Sequence, residues 1–175
     1  TYVQAMADGE EPLGVQRAKP FLERAKALAP DYVNPVASLI LTQYRGQPIP
    51  QGIFRELTDR IRRNKALQPN AILLIQEAAT EGRIEMSPEQ VREVFTAAMD
   101  NPSVHVGARA QFLNNYGRYH YVRLNDPQVA VSLTLAAAET DPGNPVFQIN
   151  LAKLALALEQ PDIAAQHIEH ARRLD

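Results

Sequence analysis

The sequence predicts an all-α fold, a stack of antiparallel helix hairpins. Three observations carry the prediction. Prolines follow good helix-capping residues at four places, Asn34-Pro35, Ser87-Pro88, Asp126-Pro127 and Asn144-Pro145. Proline suits the first position of a helix, where its missing N–H would have no partner. Between these sites apolar residues recur at helical spacing, without convincing strand alternation or an Asn-Gly hairpin turn. Finally, alanines recur seven residues apart, in sets that themselves recur.

The elements follow in order, with helices near 2–8 and 15–29. The second contains Pro20, which requires a late start or a kink. Asn34-Pro35 starts a helix over 33–45, and Ile53, Leu57 and Ile61 line one over 50–63. AILLI (71–75) opens a helix over 70–81. Ser87 with Gln90 forms a capping box for a helix over 88–100, striped by Val91, Val94, Phe95 and Ala98. A long helix over 103–123 follows, then one over 127–140 after Asp126. Asn144 starts another over 145–158, where Phe147, Leu151, Leu154 and Leu158 share a face, and the last covers 161–174. The connections are short, so successive helices pack antiparallel.

The alanine sets give the repeat. Ala18 and Ala25 precede Pro30, Ala130 and Ala137 precede Pro142, and Ala164 and Ala171 lie in the last helix. Ala130 to Ala164, and Ala137 to Ala171, are both 34 residues apart. Where two helices of a hairpin cross closely only a small side chain fits, so alanine returns on one face. These sets resemble the tetratricopeptide repeat (TPR), a 34-residue helix–turn–helix unit. In the segment LNNYGRYHY, Gly117 resembles the family's small residue and Leu113 and Tyr116 its large ones, with Leu151-Ala152 at the equivalent place in the last unit. The resemblance implies a single right-handed TPR-like α-solenoid over 1–175, with units near 1–30, 104–142 and 143–175. It departs from the pattern at Thr134, where a large residue is usual, and by one inserted residue between Gly117 and Ala130. Residues 31–100 form hairpins without an alignable alanine pair, as diverged repeats or as an unrelated helical insert.

Composition narrows the function. A net charge of −2 argues against a chain whose main partner is nucleic acid or an anionic membrane, since neutralising phosphates takes a basic surplus. The chain has no cysteine, which excludes disulfides, thiolate nucleophiles and thiolate metal sites. No apolar run approaches the roughly 18–20 residues that span a bilayer, so direct membrane insertion is not expected of this stretch. Opening at Thr1 within an expected helix, the chain reads as an excised piece of a longer protein.

Candidate sites are few. His167 and His170 stand three apart, as a zinc pair can, but no third ligand is identifiable and a solvated face is favoured. RELTDRIRRNK (55–65) is rich in arginine and reads as a solvated helix face with Glu56–Arg60 and Asp59–Arg63 pairs. No phosphate loop, GxSxG or HExxH occurs, so neither a catalytic residue nor a cofactor is expected.

In a TPR-like unit the first helix lines a groove. Carrying over the family's groove positions puts Gln111, Asn114, Arg118 and Tyr121 there, with Ile149, Lys153 and Leu156 from the next unit. Such a surface could hold a peptide by backbone hydrogen bonds and ring contacts, although the tyrosines of YGRYHYVR could equally be packing residues. The pattern differs from the Lys/Asn clamp that some TPR domains use for C-terminal carboxylates. The expected function is a non-catalytic scaffold that binds a protein or peptide partner. The alternative is a structural or self-associating module, with Ile163 and Leu174 on the face left open. The tract from Asp141 to Asp175 is also similar to the TPR-bearing C-terminal tails of bacterial inner-membrane glycosyltransferase-like proteins. That would place it in the periplasm, against the cytoplasm for other TPR proteins.

Overall fold

A computed structural model describes residues 12–174, and three-quarters of these are helical. Nine helices occur among these residues. They are α1 (Pro12–Leu28), α2 (Asn34–Gln43), α3 (Gln51–Arg63), α4 (Pro69–Thr80), α5 (Pro88–Asp100), α6 (Val106–Arg123), α7 (Pro127–Thr140), α8 (Pro145–Ala157) and α9 (Pro161–Leu174). The helix expected at 2–8 and the side chain of Ala18 lie outside the described residues. α1 runs through Pro20 rather than starting after it.

Three of the four expected caps form. Ser87 Oγ accepts from the Gln90 amide while Gln90 Oε1 accepts from the Ser87 amide, a complete capping box. Asp126 accepts from the Val129 amide and Asn144 from the Val146 amide. Asn34 departs from expectation: Val33 occupies the cap position, and the Asn34 amide donates to Gln68 instead. An unforeseen cap starts α6, where His105 Nδ1 accepts from the Ala108 amide at 3.1 Å.

The helices fall into two compact units, one up to Val104 and one from His105. In the first, hairpins α2–α3 and α4–α5 stack by like elements, α2 on α4 and α3 on α5, with α1 against α2. The core is built of large apolar side chains: Leu39, Ile40, Phe54, Leu57, Ile61, Ile72 and Ile75 are almost wholly buried. Each such side chain contributes about 1.5–3 kcal/mol by leaving water. Polar side chains tie the helix ends. The Asn101 amide donates to the carbonyls of Ile61 and Asn64, so the end of α5 is fastened to the end of α3. Gly46, at φ +63°, lets the loop after α2 turn so that its amide donates to the Arg83 carbonyl.

In the arginine-rich α3, Arg55, Arg62 and Arg63 are exposed and the expected Glu56–Arg60 pair forms, but Arg60 departs from the expected solvated face. Arg60 is only 6 % exposed and donates to the carbonyls of Ala29 and Tyr32, and to Glu56 at 2.8 Å. Glu56 also meets Lys26 at 2.9 Å, joining α3 to α1. Partial burial works against both charges, but the Lys26 and Arg60 partners outweigh it and hold the Glu56 carboxyl below its usual range. The mutual contact likewise raises Lys26 despite its burial. Asp59 pairs with Arg62, not with the side chain of Arg63, and Arg62 reaches on to Glu93 of α5 at 3.0 Å.

In the second unit, hairpins α6–α7 and α8–α9 pack closely along their length, and α7 packs on α8. The alanine sets lie where the repeat puts them: Ala130, Ala137, Ala164 and Ala171 are all buried. Gly117 marks a close approach of α6 to α7. A Cβ built there would lie 3.0 Å from the Ala130 carbonyl oxygen and 3.1 Å from Thr134 Oγ1. Phe147 and Leu151 of α8 fill the space against Ala110, Ala137 and Ala138, forming the core of the unit.

Candidate functional site

A cleft opens on the second unit between α6 and α8, with Thr134 of α7 between them. The cleft between them has a volume of about 330 Å³ and is lined by Asn114, Arg118, Tyr121 and Val122 of α6, Thr134 of α7, and Asn150, Lys153 and Leu154 of α8. Helical periodicity explains the lining, since 114, 118 and 121 follow one another at steps of four and three residues, and 153 and 154 lie three and four residues after 150.

Four of the residues expected in a groove, Asn114, Arg118, Tyr121 and Lys153, thus line one cleft. Gln111, Ile149 and Leu156 lie exposed on the same two helices but outside the lining. Sequence reasoning missed Val122, Thr134, Asn150 and Leu154. Asn150 carried a usable signal: it lies on the same helix as Lys153, one turn away.

The polar groups are arranged. Asn150 Nδ2 donates to Asn114 Oδ1 at 2.9 Å, bridging the two walls. Thr134 turns its hydroxyl to the Ala130 carbonyl at 2.8 Å and so adds little polarity to the cleft. Two cationic side chains, Arg118 and Lys153, lie in the cleft, and among the described residues no Asp or Glu lines it.

The remaining aromatics sort into separate roles. Tyr119 is buried and stacks with Tyr116 at 6.4 Å, so these two tyrosines are packing residues of α6 while Tyr121 faces the cleft. The His120 ring sits edge-on to Tyr116 at 4.7 Å. Both its nitrogens are buried without a hydrogen bond, and Nδ1 lies 3.6 Å from Asp126.

The other histidine pair does not converge on a metal. His167 Nδ1 lies 2.8 Å from Gln148 Oε1, and His170 is exposed. Among the described residues no group of three or more His, Cys, Asp or Glu could hold a metal ion. No helix among them is long and apolar enough to cross a membrane.

Comparison with known proteins bears on the fold. No protein-family model and no curated protein matches the chain. A solved structure from a functional characterization of PilF of Pseudomonas aeruginosa, a TPR protein, does match. It has a TM-score of 0.52 and 13 % identity, over 99 % of this chain and 75 % of that one. At that identity the likeness speaks to fold alone: the chain is an all-helical repeat of TPR-like type.

Proposed function

We propose that this chain is a non-catalytic interaction module that holds a peptide or protein partner in the cleft between α6 and α8. One observation carries the reading: Asn114, Arg118, Tyr121 and Lys153, reached through the groove positions of a TPR-like unit, line a single cleft. The cleft combines an apolar wall, a ring and a bridged amide pair, the means by which such surfaces grip an extended chain. The TPR-like neighbour is consistent with a scaffold. Affinity capture from a lysate of the source organism tests the reading. Wild type retains a protein that an Arg118→Glu/Tyr121→Ala variant of unchanged helicity releases. Equal retention by both would reject the cleft as the binding surface.

A second reading has its own observation. Val146, Ile149 and Leu156 of α8, and Ile163 and Ile168 of α9, are 41–56 % exposed. That much apolar surface on two helices favours a self-associating module. The resemblance to tails of inner-membrane glycosyltransferase-like proteins belongs with this reading. Sedimentation of the 175-residue chain at rising concentration tests it. A monomer throughout would count against self-association.

A further inference from the structure

We propose that Met86, in the loop between α4 and α5, is a site of reversible oxidation, and that the oxygen of its sulfoxide is held by the buried amide of Gln76. The proposal concerns the first unit and stands whether or not the α6–α8 cleft binds a partner.

Gln76 of α4 is only 3 % exposed, and neither Nε2 nor Oε1 of its side chain has a hydrogen-bond partner. Such an amide lowers stability, because folding strips its water and returns nothing. Buried groups left in this state call for an explanation. The surroundings are apolar. Ile75 and Ala79 of α4 and Val91 and Val94 of α5 are buried around a small space that Gln76 also lines. Met86 lines the same space and is half-buried. The space is too narrow to take a water molecule, and a free ligand is excluded for the same reason.

Met86 is the lining residue that chemistry can change. With hydrogen peroxide the thioether sulfur supplies an electron pair and the O–O bond breaks. One oxygen stays on sulfur, and the other leaves as water. The apolar side chain becomes a polar sulfoxide, which sulfoxide reductases return to methionine. An oxygen bonded to sulfur sits at a bond length from it, well inside the distance at which a free water stops, so it needs far less room. The backbone on either side of Met86 is fastened: the Ile84 amide donates to the Ala78 carbonyl, and the Ser87 amide to Gln90 Oε1. The side chain itself is unbranched, with three rotatable bonds, and turns without moving the loop. Gln76 Nε2 then donates to the sulfoxide oxygen. Oxidation of a packed methionine ordinarily disrupts a core by putting a polar group among apolar ones. Here that polar group meets a buried donor with no other partner, and the oxidised loop is tied to α4.

The test uses the 175-residue chain carrying Met6→Leu and Met99→Leu, which leaves Met86 as its one methionine. Hydrogen peroxide is added at a concentration that fully oxidises methionine in a short peptide. The oxidised and parent proteins are then compared, with and without a further Gln76→Leu. Mass spectrometry is expected to find one added oxygen, on Met86. The side-chain N–H₂ resonances of Gln76 are expected to shift, and to return after treatment with sulfoxide reductase. Oxidation is expected to leave the urea midpoint of the Gln76 protein unchanged and to lower that of the Gln76→Leu protein. Equal lowering in both, with the Gln76 resonances unmoved, would overturn the proposal by showing a sulfoxide that faces solvent. Failure of Met86 to take up oxygen would overturn it as well. Where Gln76→Leu does not fold, the Gln76 resonances decide alone: a reversible shift supports the contact, and resonances unmoved by oxidation reject it.

Discussion

The two units solve one packing problem with different volumes. In each of the four hairpins the fourth and eleventh residues of the second helix are buried: Phe54 and Ile61 in α3, Val91 and Ala98 in α5, Ala130 and Ala137 in α7, Ala164 and Ala171 in α9. The position is constant and the size is not. Large side chains hold the helices of the first unit apart and fill the gap between them. Small ones in the second unit bring helix backbones together, so that Gly117 faces the Ala130 carbonyl. Interior packing tolerates either solution if the volumes match. The cleft with the groove residues lies in the second unit.

Breaking the first solution has the largest expected effect. Phe54→Ala empties a fully buried site, and costs about 3–5 kcal/mol. Amide exchange followed by mass spectrometry should show the loss of protection within residues 34–100. Breaking the second costs less but reaches function. Ala137→Leu overpacks the α6–α7 crossing, at about 1–3 kcal/mol by urea unfolding, and should reduce partner retention by tilting the cleft wall. The same substitution at Ala98, beside larger neighbours, should leave binding unchanged. A cap sets the next scale: Ser87→Ala removes half the capping box of α5 and should cost about 1 kcal/mol.

The smallest effect separates the units by pH. Partial burial, and then the nearby charge of His170, hold His167 below the ordinary imidazole range. A depressed histidine favours the neutral form in the fold. Its contribution is complete above the unfolded value of about 6.5 and is lost as pH falls through the folded value. Glu56 behaves as a depressed carboxyl: its contribution is present above the unfolded value and lost as pH falls through the lower folded one. Protection in residues 105–174 should therefore begin to decline first on acidification, below the ordinary histidine value of about 6.5, and that in 34–100 only below the ordinary glutamate value of about 4.3. His167→Gln should remove the earlier decline and leave the later one.

Much of the fold was legible from single residues. Ser87, Asp126 and Asn144 announced helix starts because a cap is a local bargain between one side chain and one amide. Ala130, Ala137, Ala164 and Ala171 announced the close crossings because only small residues satisfy them. Residues 31–100 offered no alignable alanine pair because Phe54, Ile61 and Val91 occupy the buried fourth and eleventh helix positions there. Arg60 was misread for another reason. Its partners are the carbonyls of Ala29 and Tyr32, about thirty residues away and unspecified by side-chain type. In the site, Asn114, Arg118, Tyr121 and Lys153 followed from helical register. Asn150 shares that register with Lys153, but its bridge to Asn114, like the place of Thr134 between the walls, exists only once the helices are packed.

The measurement that tests the account most directly is chemical-shift mapping of the backbone amides as a captured or selected partner is added to the intact chain. The account predicts perturbations centred on Asn114, Arg118, Tyr121, Asn150 and Lys153, with those of residues 34–100 almost unmoved. Perturbations centred on α2–α5, or on the exposed residues of α9, would contradict it.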